Sequence, residues 1–354
     1  MDAAQRLQHA LLAHANVDSW ATAGLSSVKR GMLQRYLNAF GQRGRLHKAS
    51  QSDRASIAWG ATPSTKCLVR IEDGFIRSVG LGADLVRPQS WVFDTRGIYF
   101  DANTPSDLEW LLQNKQLTPT ELQRAAALRH RLVATRVTKY NVGSHFWSRP
   151  NSNQRIVLVV GQVETDASIR LGSHVVCNNL QLLQRARENC PKDYLVYKPH
   201  PDVVAKLRAG RVRQAELLQW CDEVVTDASM AAILSQVDAV HVMTSLAGFE
   251  ALLRGIPVTC YGTPFYAGWG LCTEPHVLPA AQARRTRRLS LDQLVACALI
   301  EYPSYLDPDQ DKLITAEQTV TLIQTQLELA GTQVKRSKVV RLGLAFLAKL
   351  RRGF

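Results

Sequence analysis

Residues 239–262, AVHVMTSLAGFEALLRGIPVTCYG, decide the fold. The run 239–243 is short, apolar and rich in Val, which suits a parallel strand buried on both faces. Thr244 and Ser245 follow as candidate helix caps, and Leu246, Phe249, Leu252 and Leu253 then recur at helical spacing. Gly255 and Pro257 stop the helix, and residues 258–261 open the next strand. A helix N-terminus therefore points at the carboxyl end of a parallel strand. Open α/β sheets bind ligands there, and backbone N–H groups at such a terminus favour a phosphate. Glu250 falls in the first turns of this helix, in reach of a ribose hydroxyl. The same pattern also describes an ordinary βαβ unit with a well-capped helix and a surface Glu.

The chain has 354 residues, 46% of them hydrophobic and 21% charged, which fits a soluble globular protein with room for two domains. No apolar run approaches the ~20 residues that a membrane-spanning helix needs. The first residues, MDAAQRLQHALLAHANVDSW, lack the basic start and apolar core of a signal peptide. Seven cysteines are scattered without a CxxC pair, as expected of buried thiols in a reducing compartment. No ligands recur at zinc spacing, so neither a metal nor another cofactor is expected.

The net charge of +13 is unevenly spread. Lys335, Arg336, Lys338, Arg341, Lys349, Arg351 and Arg352 crowd the end of the chain, interleaved with Val339, Val340, Leu342, Leu344, Phe346, Leu347 and Leu350. Residues 334–354 thus read as a basic amphipathic helix suited to an anionic membrane surface, or else as a packed helix with solvated cations. Nucleic acid is not expected as a partner, because no recognisable nucleic-acid module is present. Arg284-Arg285-Thr286-Arg287-Arg288 forms a second basic cluster, either a solvated loop or a phosphate contact.

Strand-like and helical segments alternate in both halves, which predicts two Rossmann-like domains with parallel sheets facing a cleft. The polar, irregular segment 141–154 marks the boundary. The expected division is 1–150, 151–310 and a C-terminal region 311–354 of helices and basic tail. Strands are expected at 55–60, 67–72, SWVFD (90–94), IYF (98–100), RIVLVVGQV (155–163), DYLVYKPH (193–200) and EVVT (223–226).

Several loops follow these strands and are expected to converge on one cleft. Glu72-Asp73-Gly74 pairs two carboxylates, and one charge raises the proton affinity of its neighbour, which suits proton transfer. Gly74 permits close backbone approach. In Gly161-Gln162-Val163-Glu164-Thr165-Asp166-Ala167-Ser168, Asp166 is either a nucleophile or a helix cap. Lys198-Pro199-His200-Pro201 clamps an imidazole between two prolines, placed to donate to a phosphate or to carry positive charge. The loop 261–270, YGTPFYAGWG, is dense in glycine and aromatics. Tyr266 and Trp269, with Arg77 from the first loop, are candidates to wall a sugar or acceptor.

Taken in order, EDGFIRSVGLGADL, GIYFDANTPSDLEWLL, VLVVGQVETDAS, YKPHPD and VHVMTSLAGFEALLRGIPVTCYGTPFYAGWG resemble the capsule-polysaccharide proteins of the KpsC type, which are retaining β-Kdo glycosyltransferases. The resemblance covers about residues 67–310. It implies a GT-B-like fold, a CMP-Kdo donor, no metal, a lipid-linked or glycan acceptor, and a place among capsule-assembly proteins at the cytoplasmic face of the inner membrane. Family members carry two transferase modules in tandem, and this chain has the length of one. By the same resemblance Glu72 and Asp73 fall at the acid/base position and Asp166 at the nucleophile. Glu164, two residues away, is able to exchange roles with Asp166. Lys198, His200, Thr244 and Ser245 fall at the donor phosphate, and Glu250 at the ribose. The alternatives are transfer of another CMP-ulosonic acid, such as a sialic acid, or a non-catalytic scaffold of capsule assembly.

Overall fold

The computed structural model describes residues 19–42, 44–49, 56–63, 67–80, 86–143, 146–204 and 213–332. The basic tail 334–354 lies outside the described residues.

The first half runs β1 (Ser19–Ala23), α1 (Ser27–Ala39), β2 (Arg45–Lys48), β3 (Ile57–Trp59), β4 (Val69–Asp73), β5 (Ser90–Asp94), α2 (Asp107–Asn114) and α3 (Pro119–Ala134). The second half begins with β6 (Ile156–Val160), α4 (Ala167–Gly172), α5 (Asn179–Asn189), β7 (Tyr194–Lys198), α6 (Pro201–Val204), α7 (Gln214–Leu217), β8 (Glu223–Val224) and α8 (Met230–Leu234). It continues through β9 (Ala239–Val242), α9 (Leu246–Leu253), β10 (Val258–Cys260), α10 (Pro279–Arg284) and α11 (Leu291–Val295). A π-helical turn (Ala296–Glu301), β11 (Pro303–Leu306), β12 (Leu313–Ile314) and α12 (Ala316–Thr332) close the described chain.

These elements form two sheets, in the order β12-β11-β5-β4-β3-β1-β2 and β10-β9-β6-β7-β8. The second sheet is parallel throughout. Its central strands β6 and β9 are buried along their whole length, as their unbroken apolar runs require. The opening stretch behaves as read: Ser245 caps α9 by accepting from the Ala247 N–H at 3.2 Å, and Gly255 leaves the helix at φ +70°.

The first sheet departs from expectation. It is parallel from β2 to β4, but β4 pairs β5, β5 pairs β11 and β11 pairs β12 in antiparallel fashion. β11 lies inside the sequence range expected for the second domain, yet it extends the first sheet. The chain therefore crosses back near residue 303, ahead of the expected boundary at 310. The segment 98–100, expected as a strand, forms a turn instead.

The two halves share one apolar core. It runs from β6, β9 and α9 through α2, α3, α11 and the π-helical turn. Phe75 of the first half stacks on Phe265 of the second, with centroids 4.6 Å apart, and lies 6.1 Å from Phe249. Polar clamps flank this seam. Buried Glu109 on α2 accepts from both Arg284 and Arg285, and Arg285 also donates to the Pro264 and Ala267 carbonyls at 2.8 and 2.9 Å. Arg287 reaches the Lys115 carbonyl at 2.8 Å. Much of the second basic cluster is therefore spent on joining the halves.

Candidate active site

Glu72 and Asp73 end β4, beside the antiparallel neighbour β5. The Glu72 carboxylate accepts the Asp73 backbone N–H at 3.0 Å. Gly60 makes room for it: a Cβ on that residue would stand 2.9 Å from Glu72 Oε2. Gly74 is equally constrained, because a Cβ there would meet Ser90 Oγ at 2.4 Å. Desolvation by burial first, and then the Asp73 charge, push the Glu72 carboxyl up to about 7. It is thus able to exchange a proton near neutrality. Arg77 is buried and committed, with Nε 2.7 Å from Asp73 Oδ2 and Nη1 2.8 Å from Ser78 Oγ. It orients Asp73 and does not form an open acceptor wall.

Asp166 is exposed and caps α4, with Oδ1 accepting the Ser168 N–H at 3.1 Å. This bond fixes the carboxylate at the carboxyl end of β6. Glu164 turns instead to the Asn179 N–H at 2.9 Å. Gln162, unassigned from sequence, ties the loops together. Its side chain accepts the Thr244 N–H at 2.8 Å and donates to Thr244 Oγ1 at 3.0 Å, while its backbone pairs with the Asn179 side chain in both directions. The loops after β6 and β9 are thereby locked to each other. The far end of α4 also meets the first half, where the Asn103 amide donates to the Leu171 carbonyl at 2.8 Å.

At the end of β7, Lys198 Nζ donates to the Ala228 carbonyl at 2.6 Å. Burial lowers its pKa to about 8, against the opposing pull of Asp227. His200 Nδ1 accepts the Asp202 N–H at 3.1 Å, which places the proton of a neutral ring on Nε2. Thr244 and Ser245 stand where expected, at the start of α9.

Glu250 is buried, and its Oε1 accepts the Lys139 backbone N–H at 2.8 Å. Burial raises its proton affinity. Here it grips the chain that links the halves. Tyr266 and Trp269, expected to wall a sugar, are fully buried. The Tyr266 hydroxyl bonds the Ser245 carbonyl, and the Trp269 indole donates to the Phe265 carbonyl at 2.9 Å. They hold the 261–270 loop against α9 and present no face to solvent. Sequence reasoning missed Gln162. Its signal is absent from the sequence because its partners Thr244 and Asn179 come from distant loops.

Among the described residues, no three His, Cys, Asp or Glu side chains gather as a metal site, and no helix is long and apolar enough to cross a membrane.

A family model described as capsule polysaccharide biosynthesis protein matches residues 48–148 and 120–305. The chain is 42% identical over 320 residues to the capsule polysaccharide modification protein LipA of Neisseria meningitidis serogroup B. That match covers 86% of the chain and 45% of LipA, so the chain spans about half the length of this relative. It is 41% identical over 266 residues to the lipopolysaccharide-processing protein LpsZ of Rhizobium meliloti, covering 71% of the chain and 60% of LpsZ. Among solved structures, the β-Kdo 2,7 transferase of Thermosulfurimonas dismutans KpsC matches with a TM-score of 0.72 and 36% identity, over 88% of this chain and 99% of that one. The β-Kdo 2,4 transferase of the same protein matches at 0.73 and 27%, over 86% and 98%.

Proposed function

The chain belongs to the capsule polysaccharide biosynthesis family, and we propose that it is a glycosyltransferase moving Kdo from CMP-Kdo to a lipid-linked or glycan acceptor with retention of configuration. The observation that carries this reading is a fold similar to that of β-Kdo transferases that carries two unlike strand ends. Glu72, pushed up to about 7, stands in one half, and a carboxylate oriented by its cap bond stands in the other near the end of the strand that carries Lys198.

In the proposed reaction Asp166 attacks the anomeric carbon. The bond from that carbon to the CMP phosphate oxygen breaks, and CMP leaves with the electron pair. Lys198, His200 Nε2–H and the amino end of α9 stabilise the departing phosphate. An acceptor hydroxyl then gives its proton to Glu72 and attacks the same carbon, releasing Asp166. Two inversions yield net retention. The greater identity to the 2,7 transferase than to the 2,4 transferase favours a 2,7 linkage.

The proposed setting is the cytoplasmic face of the inner membrane beside other capsule-assembly proteins, with residues 334–354 on the anionic surface. To test the reaction, the protein is incubated with a Kdo-terminated acceptor and either CMP-Kdo or CMP-sialic acid. CMP release and an acceptor heavier by one Kdo are expected with CMP-Kdo alone. Turnover with CMP-sialic acid alone would move the assignment to another ulosonic acid, and turnover with neither donor would leave a scaffold.

A further inference from the structure

The loop between β5 and α2, residues 95–106, brings an aromatic ring to the carboxylate at the end of β4. We infer that this ring, Phe100, is an acceptor-binding platform: it seats the apolar C–H face of a pyranose whose hydroxyl turns to Glu72. The inference deepens the proposed reaction and rests on the proton role given there to Glu72.

The loop is closed at its neck. Asp94 Oδ1 accepts the Arg96, Gly97 and Asp107 N–H groups at 3.0, 2.8 and 3.0 Å, and Oδ2 accepts the Tyr302 hydroxyl at 2.8 Å. Asp107, at the start of α2, accepts the Thr95 N–H at 2.7 Å. Gly97 lies against the returning chain, where a Cβ would stand 2.4 Å from the Pro105 carbonyl oxygen. The tip is closed as well. The Asp101 N–H donates to the Ile98 carbonyl at 3.0 Å, and the Asp101 carboxylate accepts the Asn103 N–H at 2.9 Å and the Thr104 hydroxyl at 3.1 Å.

Beyond the tip the loop is fastened to the second half. The Asn103 amide reaches the Leu171 carbonyl at 2.8 Å, and the Arg284 guanidinium donates to the Ala102 and Asn103 carbonyls at 2.9 and 3.2 Å. Phe100 is thus carried on backbone held from both sides. Its neighbour Tyr99 turns into the aromatic seam, with its centroid 4.9 Å from that of Phe75 and 5.9 Å from that of Phe265.

Phe100 lies between the acid and the donor loops. A Cβ on Gly60 would stand 3.7 Å from Phe100 Cζ and 2.9 Å from Glu72 Oε2, so the ring tip and the carboxylate border one point. A Cβ on Gly172 would stand 3.6 Å from the Phe100 carbonyl oxygen and 3.1 Å from Thr244 Cγ2, so the backbone behind the ring borders the loop after β9. Phe100 and Glu72 are both only partly buried. Other rings are committed elsewhere. Tyr266 and Trp269 lie in the core, and Trp59 is engaged by Lys29 at 3.1 Å and by Trp91 at 5.4 Å. A flat ring beside a proton acceptor suits a pyranose, which offers C–H groups on its face and hydroxyls at its rim.

The test titrates a soluble Kdo-terminated oligosaccharide into the parent chain and into Phe100→Ala, Phe100→Leu and Phe100→Tyr, with no donor present, and follows the sugar by proton NMR. Phe100→Leu keeps apolar bulk and guards against a folding defect in Phe100→Ala. In the parent chain the ring current of Phe100 should move the protons of the bound terminal sugar upfield. Phe100→Leu should abolish that displacement and weaken glycan binding about tenfold, with CMP affinity by calorimetry held within about twofold, and Phe100→Tyr should restore both properties. In turnover the loss should fall on KM for the acceptor, with kcat kept within about threefold. A parent chain that binds the glycan without the upfield displacement overturns the proposal. So does glycan affinity that survives in Phe100→Leu and Phe100→Ala, falls only in step with CMP affinity, or is not restored by Phe100→Tyr. Binding that follows the ring in a protein that transfers no sugar would sustain the platform while removing the proposed reaction.

Discussion

The carboxyl ends of β4 and β9 face related tasks with opposite materials. At β4 two adjacent carboxylates are crowded together, and Arg77 pairs with one of them at 2.7 Å. At β9 the groups are neutral, and protein bonds engage them: Thr244 is held by Gln162, and Ser245 by its cap bond and by Tyr266. The first arrangement keeps a group near its titration midpoint. The second fixes a backbone in place. Under the proposed reaction the difference separates proton handling from donor binding, and each half is open to perturbation on its own.

The largest expected effect is at β4. Glu72→Gln keeps the shape and removes the proposed base, so kcat should fall about 10²–10⁴-fold while CMP affinity, measured by calorimetry, stays within about twofold. In the parent chain the rate should rise with pH through about 7, since Glu72 accepts a proton only after losing its own. A flat profile over that range would remove Glu72 as base.

The clamp between the halves comes next. Glu109→Ala leaves Arg285 buried without its carboxylate, and a loss of about 3 kcal/mol is expected in denaturant unfolding. A loss below about 1 kcal/mol would mean that the seam is held by its aromatic packing.

Smaller effects belong to β9 and β7. Gln162→Ala removes both bonds to Thr244 and should weaken CMP binding about tenfold, with little effect on the pH midpoint. CMP affinity in the parent chain should also decline as pH rises past about 8, because Lys198 then loses its charge. Lys198→Met should flatten that decline. Deleting residues 334–354 should leave turnover on a soluble acceptor unchanged and reduce only salt-sensitive binding to anionic vesicles.

The stretch 239–262 was legible because everything that shapes it is local: an apolar run, a Ser cap, helical spacing and a Gly-Ile-Pro stop. The antiparallel edge of the first sheet was not legible, because β5 at Ser90–Asp94 awaits a partner at Pro303–Leu306. The role of Arg284 and Arg285 depends likewise on Glu109, some 175 positions away. Tyr266 and Trp269 misled for another reason. A loop dense in glycine and aromatics has the same composition whether it walls a ligand or fills a core, and only burial separates the two. Asp166 kept both of its readings in the sequence. The structure gives it the cap bond, which is compatible with either.

The division of labour is tested most directly by trapping the sugar on the protein. Glu72→Gln should load Kdo from CMP-Kdo but discharge it slowly to an acceptor hydroxyl. Mass spectrometry of the quenched, digested protein is then expected to find one Kdo residue on the peptide containing Asp166, localised to that side chain. CMP released with the sugar on Glu164, or with no adduct on the protein, would contradict the account.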